Sequence, residues 1–167
     1  RGQPLHAFDY ERLPRPEIVV RRAGNDAVFT TLDGQARALQ PDDLLITSGN
    51  QPVAIAGIMG GADTEVTAST RRVLLESAWF APLSVRRTSK KLPLSTDASY
   101  RFERGADIEA TVVAVNRAAA LIQQVAGGRI CAGILEARPS PPARRRLSLR
   151  TARVPMLLGF AVDAITI

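Results

Sequence analysis

The sequence predicts an α+β fold, because strand patterns come first, helices are interspersed later and regular β-α-β alternation is absent. Three observations support this class. Short apolar and β-branched runs occupy residues 17–47, a hairpin signal lies between two of these runs, and residues 107–126 repeat apolar side chains close to every 3.6 residues.

The first half of the chain is predicted to be mainly strands. Residues 1–16 are expected to form a loop-like entry, because their three prolines oppose a long helix. Strands are expected over residues 18–20, 28–32, 35–39 and 44–47. Asp33-Gly34 is typical of a hairpin turn. Residues 52–61 are predicted as a buried strand ending in small residues, and residues 73–80 as a second apolar strand.

Two helices are expected in the second half. Pro82 is placed to open a basic helix that Pro93 ends. Asp107 can cap a longer helix that continues to about Ala126, and Gly127-Gly128 stops it. A closing strand is expected over residues 130–135.

The same patterns predict two domains. The first is expected to cover residues 1–137, and a basic, proline-rich linker follows over residues 138–146. Residues 147–167 are interpreted as the truncated start of a second domain.

The net charge of +6 comes from one region. Its arginines are Arg138, Arg144, Arg145, Arg146, Arg150 and Arg153, with no acidic residue between Arg138 and Arg153. Two interpretations stay open for this stretch, phosphate binding and a solvated basic linker. The remainder of the chain is balanced, so the overall charge is weak evidence for a nucleic-acid surface on the first domain.

Composition excludes several classes of protein. One cysteine excludes an internal disulfide framework, and one cysteine with one histidine argues against a structural zinc site, so no metal site is predicted. No apolar run approaches the roughly 20 residues of a membrane-spanning helix. Without a signal-peptide pattern the expected location is cytoplasmic, and without a starting methionine the chain is interpreted as part of a longer protein.

Residues 94–105 combine small polar side chains with an alternation of aromatic and charged ones. Small residues leave room for a ligand or for close approach of backbone. The alternation predicts a short strand with Tyr100 and Phe102 on one face. The other interpretation is an ordinary surface turn before a helix.

Two titratable residues occur in apolar surroundings. His6 is the only histidine, and a lone histidine of this kind is more often packed and hydrogen-bonded than catalytic. Glu76 interrupts an apolar strand, so its carboxylate must face solvent, pair with a cation or line a polar pocket. Gly57 and Gly60 allow a tight turn, but the spacing of a phosphate-binding or dinucleotide-binding loop is absent.

Several stretches together resemble the B3/B4 region of bacterial phenylalanyl-tRNA synthetase β subunits. They are Gly2-Gln3-Pro4-Leu5-His6-Ala7-Phe8-Asp9, Thr31-Leu32-Asp33-Gly34, Ala54-Ile55-Ala56-Gly57-Ile58-Met59-Gly60-Gly61, Glu65-Val66-Thr67, Leu75-Glu76-Ser77-Ala78, Thr96-Asp97-Ala98-Ser99 and Arg101-Phe102-Glu103-Arg104-Gly105. Because these motifs share the family's order and spacing, no single one carries the resemblance. Residues 147–167 resemble the start of the B5 domain more weakly.

The resemblance implies a β-sandwich-like core with flanking helices and an editing function. In the family, this region hydrolyses the ester of mischarged Tyr-tRNA(Phe), which a phenylalanine pocket cannot reject strongly at the synthetic step. The implied partners are tRNA(Phe) and an α subunit, in an α2β2 heterotetramer. ATP and Mg²⁺ would act at the synthetic site of the α subunit, so no cofactor is expected in this chain.

The resemblance also assigns roles to individual residues. Glu76 matches the residue that recognises the tyrosyl hydroxyl. The predicted catalytic residues are His6, which positions the aminoacyl end or the attacking water, and Thr96, which lies beside the substrate. The other predicted substrate-binding residues are Gly57, Gly60 and Ala98, whose small size leaves space for the amino acid. The competing hypothesis is a non-catalytic module that binds aminoacyl-tRNA or serves as a subunit scaffold.

Overall fold

The chain combines small antiparallel sheets with helices, which confirms the α+β class; the computed structural model describes residues 2–140 and 146–167. Within these residues, the strands are β1 (His6–Asp9), β2 (Val19–Arg22), β3 (Val28–Thr30), β4 (Ala36–Ala38), β5 (Leu44–Ser48), β6 (Gln51–Ile55), β7 (Met59–Gly60) and β8 (Val73–Glu76). The helices are α1 (Pro82–Lys91), α2 (Asp97–Phe102), α3 (Ala110–Ala126) and α4 (Arg153–Leu158).

The largest sheet has the strand order β2-β5-β6-β7, with every neighbouring pair antiparallel. The buried strand predicted at the start of residues 52–61 corresponds to β6, and the tight turn that Gly57 was expected to allow leads from it to β7. The Ile58 amide donates to the Ile55 carbonyl at 3.0 Å, and Gly57 has a φ of +71°. Such a φ favours glycine, so Gly57 makes this turn.

The hairpin predicted at Asp33-Gly34 is confirmed and joins β3 to β4. Oδ1 of Asp33 accepts hydrogen bonds from the Thr31 hydroxyl at 2.6 Å and from the Gln35 amide at 3.2 Å. Arg37 pairs with the other Asp33 oxygen at 2.6 Å. The aspartate therefore stabilises the turn that its sequence position predicted.

The entry segment, predicted as a loop, contains strand β1. This strand pairs antiparallel with β8 through the register His6↔Glu76, Ala7↔Leu75, Phe8↔Leu74 and Asp9↔Val73. β8 therefore ends at Glu76 rather than continuing to residue 80. β1 was missed because its partner strand lies far away in the sequence.

The strand predicted from the alternation at residues 100–104 is wrong, because residues 100–102 belong to helix α2 and residues 103–104 form the turn that follows it. The Thr96 side chain accepts a hydrogen bond from the Ser99 amide at 3.1 Å. The Ser99 hydroxyl accepts one from the Thr96 amide at 2.9 Å. This reciprocal capping box begins the helix and outweighs the strand-like pattern.

The other helices begin and end close to their predicted bounds. α1 begins at Pro82 and ends before Pro93, as predicted. α3 ends at Ala126 with Gly127 at a φ of +74°, also as predicted. It begins at Ala110, so Asp107 is not its N-cap; Asp107 accepts instead from the Glu109 amide at 3.0 Å, in the turn that precedes the helix.

One hydrophobic core joins the sheets to the first two helices. Its buried members include Phe8 of β1, Leu45 of β5, Ile55 of β6, Val85 of α1 and Phe102 of α2. Burying each of these side chains contributes about 1.5–3 kcal/mol. The elements that form this core also carry the residues of the site.

The chain divides into two compact units, residues 1–130 and 131–167, and the second contains α4. The closing strand predicted over residues 130–135 is wrong, because no strand is assigned there. Leu135 is fully exposed, so this stretch has no buried face that would favour a strand. Of the predicted linker, residues 141–145 lie outside the described residues, and the predicted domain boundaries stay a prediction.

Candidate functional site

A cleft with an empty volume of about 380 Å³, part of it open to solvent, lies in the first unit. The cleft is lined by the entry segment, by strands β1, β5, β6, β7 and β8, and by helix α2. His6 and Glu76 are the titratable side chains among its lining residues.

The β1–β8 pair brings His6 and Glu76 together. They are directly opposite each other in the antiparallel register, so their side chains lie on the same face. Gln3 helps to hold the entry segment in place, because its Nε2 donates to the Ala78 carbonyl at 2.8 Å just beyond β8. Two segments that are distant in the sequence thus form one wall of the cleft.

The Glu76 carboxyl is the acidic group that lines the cleft, and its pKa is strongly shifted. Its Oε2 is fully buried and has no hydrogen-bond partner among the described residues. Burial raises the pKa of this carboxyl to about 7 from its ordinary 4.5, because the charged form loses hydration. Of the three alternatives for a carboxylate in an apolar strand, the structure places Glu76 in the lining of a cleft.

His6 is half-buried beside this carboxyl. Its ring packs edge-on against Phe8, with ring centroids 4.4 Å apart. Burial lowers the pKa of the His6 imidazole below its ordinary value, so the neutral ring predominates at pH 7. A neutral imidazole has one donor and one acceptor nitrogen, and either can bind a substrate or a water.

Two glycines leave the space that the cleft needs. A Cβ atom at Gly60 would lie 2.4 Å from Cε1 and 2.6 Å from Nε2 of His6. A Cβ atom at Gly57 would lie 2.8 Å from the Phe80 ring. Because real contacts are not this short, any side chain at either position would displace a residue that lines the cleft.

Helix α2 contributes Ala98 and Phe102 to the lining of the cleft. These positions are four residues apart and therefore share one face of the helix. The Thr96 hydroxyl donates to the Ile58 carbonyl at 2.8 Å while it accepts from the Ser99 amide. Thr96 thus attaches the start of α2 to the turn between β6 and β7.

Five of the six predicted site residues lie together in the cleft lining: His6, Gly57, Gly60, Glu76 and Ala98. Thr96 is not among the lining residues, because its hydroxyl is used by the helix cap and by the Ile58 carbonyl. This geometry supports a positioning role for Thr96 rather than the predicted catalytic one. The roles of all six residues stay predictions.

The apolar walls of the cleft were not predicted from the sequence. The lining residues without a predicted role include Pro4, Leu5, Ile46, Ile58, Met59, Phe80 and Phe102. Nothing in an apolar side chain distinguishes a cleft wall from a core position. The nearest available signal is that Phe80 and Phe102, which pack edge-on with centroids 5.1 Å apart, each follow closely on a predicted site residue.

These features define a class: α+β domains in which a short strand pair and a capped helix enclose a cleft around one buried carboxyl. The family model described as the B3/4 domain matches residues 1–127. The chain belongs to this B3/4 domain family, as its sequence motifs indicated.

Relatives of the chain are β subunits of phenylalanine–tRNA ligase. The one from Syntrophotalea carbinolica is 54% identical over 159 residues, which cover 95% of this chain and 20% of the relative. Those from Salinibacter ruber and Geobacter sulfurreducens are 51% and 50% identical, over 96% and 98% of this chain and 19% and 20% of the relatives. The chain thus spans about a fifth of the length of the curated relatives it matches. Among the helices of the described residues, none is long and apolar enough to cross a membrane.

Proposed function

We propose that this chain is the editing region of a phenylalanyl-tRNA synthetase β subunit and hydrolyses the ester of mischarged Tyr-tRNA(Phe). The parent enzyme would ligate phenylalanine to tRNA(Phe) as an α2β2 heterotetramer. Its ATP and Mg²⁺ would be bound by the α subunit. The observation that carries the proposal is the buried Oε2 of Glu76, which has no protein partner among the described residues.

Selectivity for tyrosine follows from this oxygen. A tyrosyl hydroxyl can donate a hydrogen bond to the ionised carboxylate, or accept one from the protonated acid. Phenylalanine offers neither, so its binding would leave the buried oxygen unsatisfied at a cost of about 1–3 kcal/mol. That cost corresponds to roughly 5- to 150-fold discrimination in favour of tyrosine.

Hydrolysis needs a water and space at the ester carbonyl. In the proposed reaction, a water oxygen bonds to the carbonyl carbon, the bond to the ribose oxygen breaks, and that oxygen takes up a proton as tyrosine is released. His6 would position the aminoacyl end or this water with its neutral ring. Gly60, against the His6 ring, and Ala98, on α2, would leave room for the amino acid.

The test is deacylation of Tyr-tRNA(Phe), with Phe-tRNA(Phe) as the second substrate, by an enzyme assembled with a β subunit that carries this chain. Tyrosyl-specific hydrolysis that is lost in Glu76→Ala and retained in Glu17→Ala, a substitution of an exposed carboxylate, is the expected result. If the unmutated enzyme shows no hydrolysis, the editing proposal fails and the chain is a domain that binds aminoacyl-tRNA or serves as a subunit scaffold.

A further inference from the structure

Arg101 is an exposed cation placed beside the cleft. It lies three residues after Ala98 and one before Phe102, and both of these neighbours line the cleft. Helical positions i, i+3 and i+4 share one side of a helix, so the Arg101 side chain starts from the rim of the cleft.

The guanidinium group extends from this rim toward the entry segment. A Cβ atom built on Gly2 would lie 3.1 Å from the Arg101 Nη1, so the charged group reaches the backbone two residues before Pro4. Pro4 and Leu5 line the cleft from that side. The charge of Arg101 is therefore located between helix α2 and the entry segment, next to residues of both that line the cleft.

Arg101 forms no ion pair with any residue of the described ranges 2–140 and 146–167. The next arginine of this region is engaged: Arg104 pairs with Glu103 and lies 3.5 Å from the centroid of the Tyr100 ring. Arg101 thus retains the donors of its guanidinium fork for a ligand, whereas Arg104 uses its own within the protein.

We propose that Arg101 is a phosphate-binding residue that positions the 3′ end of the aminoacylated tRNA in the cleft. This inference rests on the proposed editing function. The ester lies on the terminal ribose, and the nearest negative charge of the substrate is the phosphate on the 5′ side of the same nucleoside. A phosphate one ribose away from the ester would meet the mouth of the cleft when the amino acid is inside. Arginine suits this contact because its planar fork matches two phosphate oxygens.

The first experiment measures deacylation of Tyr-tRNA(Phe) by the assembled enzyme and its Arg101→Gln, Arg101→Lys and Arg71→Gln versions. Arg101→Gln is expected to raise KM about five- to tenfold with little change in kcat, and to lower the slope of log(kcat/KM) against log[salt] by about 1. Arg101→Lys keeps the charge but lacks the planar fork. Its KM and its salt slope should therefore fall between those of the unmutated enzyme and those of Arg101→Gln.

Arg71→Gln is the matched control. Arg71 is exposed, and it precedes the end of β8 that lies away from Glu76. The Arg71→Gln substitution therefore removes the same charge at a distance from the cleft and should leave KM unchanged. Equal effects of the Arg101→Gln and Arg71→Gln substitutions would overturn the assignment.

A second experiment identifies the phosphate as the group recognised. The probes are 3′-O-tyrosyl-adenosine and its 5′-phosphate, compared by kcat/KM. The unmutated enzyme should prefer the phosphorylated probe about five- to tenfold, and Arg101→Gln should abolish this preference. A preference that persists in Arg101→Gln contradicts the proposal.

Failure of the editing function gives a different result. In that case the unmutated enzyme hydrolyses neither probe, and binding of the corresponding 3′-amide analogues, with and without the 5′-phosphate, is measured by calorimetry. Phosphate-dependent binding that Arg101→Gln removes would support the phosphate contact without hydrolysis. Binding unaffected by the phosphate or by the substitution would refute it.

Discussion

His6 and Glu76 are direct partners in the β1–β8 register, and both side chains line the same cleft. Burial shifts the two pKa values in opposite directions, lowering that of the imidazole and raising that of the carboxyl to about 7. Both shifts favour the neutral form of the group. Both side chains can therefore hydrogen-bond to neutral ligand groups near pH 7. They do not form an ion pair with each other.

The first prediction concerns stability and pH. Because the pKa of Glu76 is raised from 4.5 to about 7 on folding, the folded chain retains a proton that the unfolded chain has released. The free energy of unfolding should therefore fall as the pH rises from about 4.5 to about 7, and level off above. Relative to Glu76→Gln, the loss should reach about 3 kcal/mol.

Urea denaturation of the chain followed by the fluorescence of Trp79, its single tryptophan, measures this difference. Asp43→Asn is the contrasting variant: burial alone would raise the pKa of Asp43, but hydrogen bonds from Lys91, from the Gln40 amide and from Thr88 together hold it below its ordinary value. The difference in unfolding free energy between the unmutated chain and Asp43→Asn should change with pH in the opposite direction, because the stabilising contribution of the Asp43 carboxylate is lost as the pH falls. A Glu76→Gln profile parallel to that of the unmutated chain would show that Glu76 ionises normally.

The second prediction concerns the space at Gly60. Gly60→Ala should reduce kcat for deacylation of Tyr-tRNA(Phe) by about tenfold or less, because the new Cβ would lie 2.4 Å from the His6 ring and displace it. Gly61→Ala is the matched control, since its Cβ would meet the core residue Phe29 at 2.6 Å. Both variants should lose about 1–3 kcal/mol of stability, but only Gly60→Ala should lose activity per folded molecule. Equal activity of the two folded variants would exclude Gly60 from the site.

The third prediction separates capping from catalysis at Thr96. Asparagine is a good N-cap and has no hydroxyl, so Thr96→Asn should retain both helix α2 and most of the deacylation activity. Thr96→Val removes the cap and the bond to the Ile58 carbonyl, and should cost about 1–2 kcal/mol of stability. Thermal unfolding and deacylation rates of both variants provide the measurements. A stable but inactive Thr96→Asn variant would restore the catalytic interpretation.

Local signals in the sequence predicted much of this fold. Asp33-Gly34 predicted the β3–β4 hairpin, because an aspartate and a glycine satisfy the requirements of that turn wherever it occurs. Pro82 likewise predicted the start of α1. Helix α2 was missed since six residues are too few to show a helical period, and its capping box uses Ser99 where glutamate or glutamine is usual.

Non-local relationships could not be predicted in the same way. The juxtaposition of His6 and Glu76 depends on the pairing register of two strands that are far apart in the sequence. The individual candidates came from family motifs, and their common location required the structure. The contact of the Thr96 hydroxyl with the Ile58 carbonyl joins two turns, and no local pattern specifies such a bond.

The fourth prediction concerns the role of His6. A general base contributes about 10²–10⁴-fold to a rate, and it imposes its own pKa on the pH profile. The His6 ring packs against Phe8, and none of the hydrogen bonds of the described residues orients it, so we expect a positioning role. His6→Gln should therefore reduce kcat for Tyr-tRNA(Phe) deacylation by about tenfold or less, with the pH profile unchanged in shape.

A double-mutant cycle with Gly60→Ala completes this test of His6. If the Gly60→Ala variant loses activity by displacing the ring, adding His6→Gln should cost little more, because the ring has already left its position. Additive losses would mean that the two residues act independently. A loss above about 10² in His6→Gln alone, together with disappearance of an ascending limb below pH 6.5, would instead identify His6 as the general base, since the pKa of its ring is lowered from 6.5 by burial.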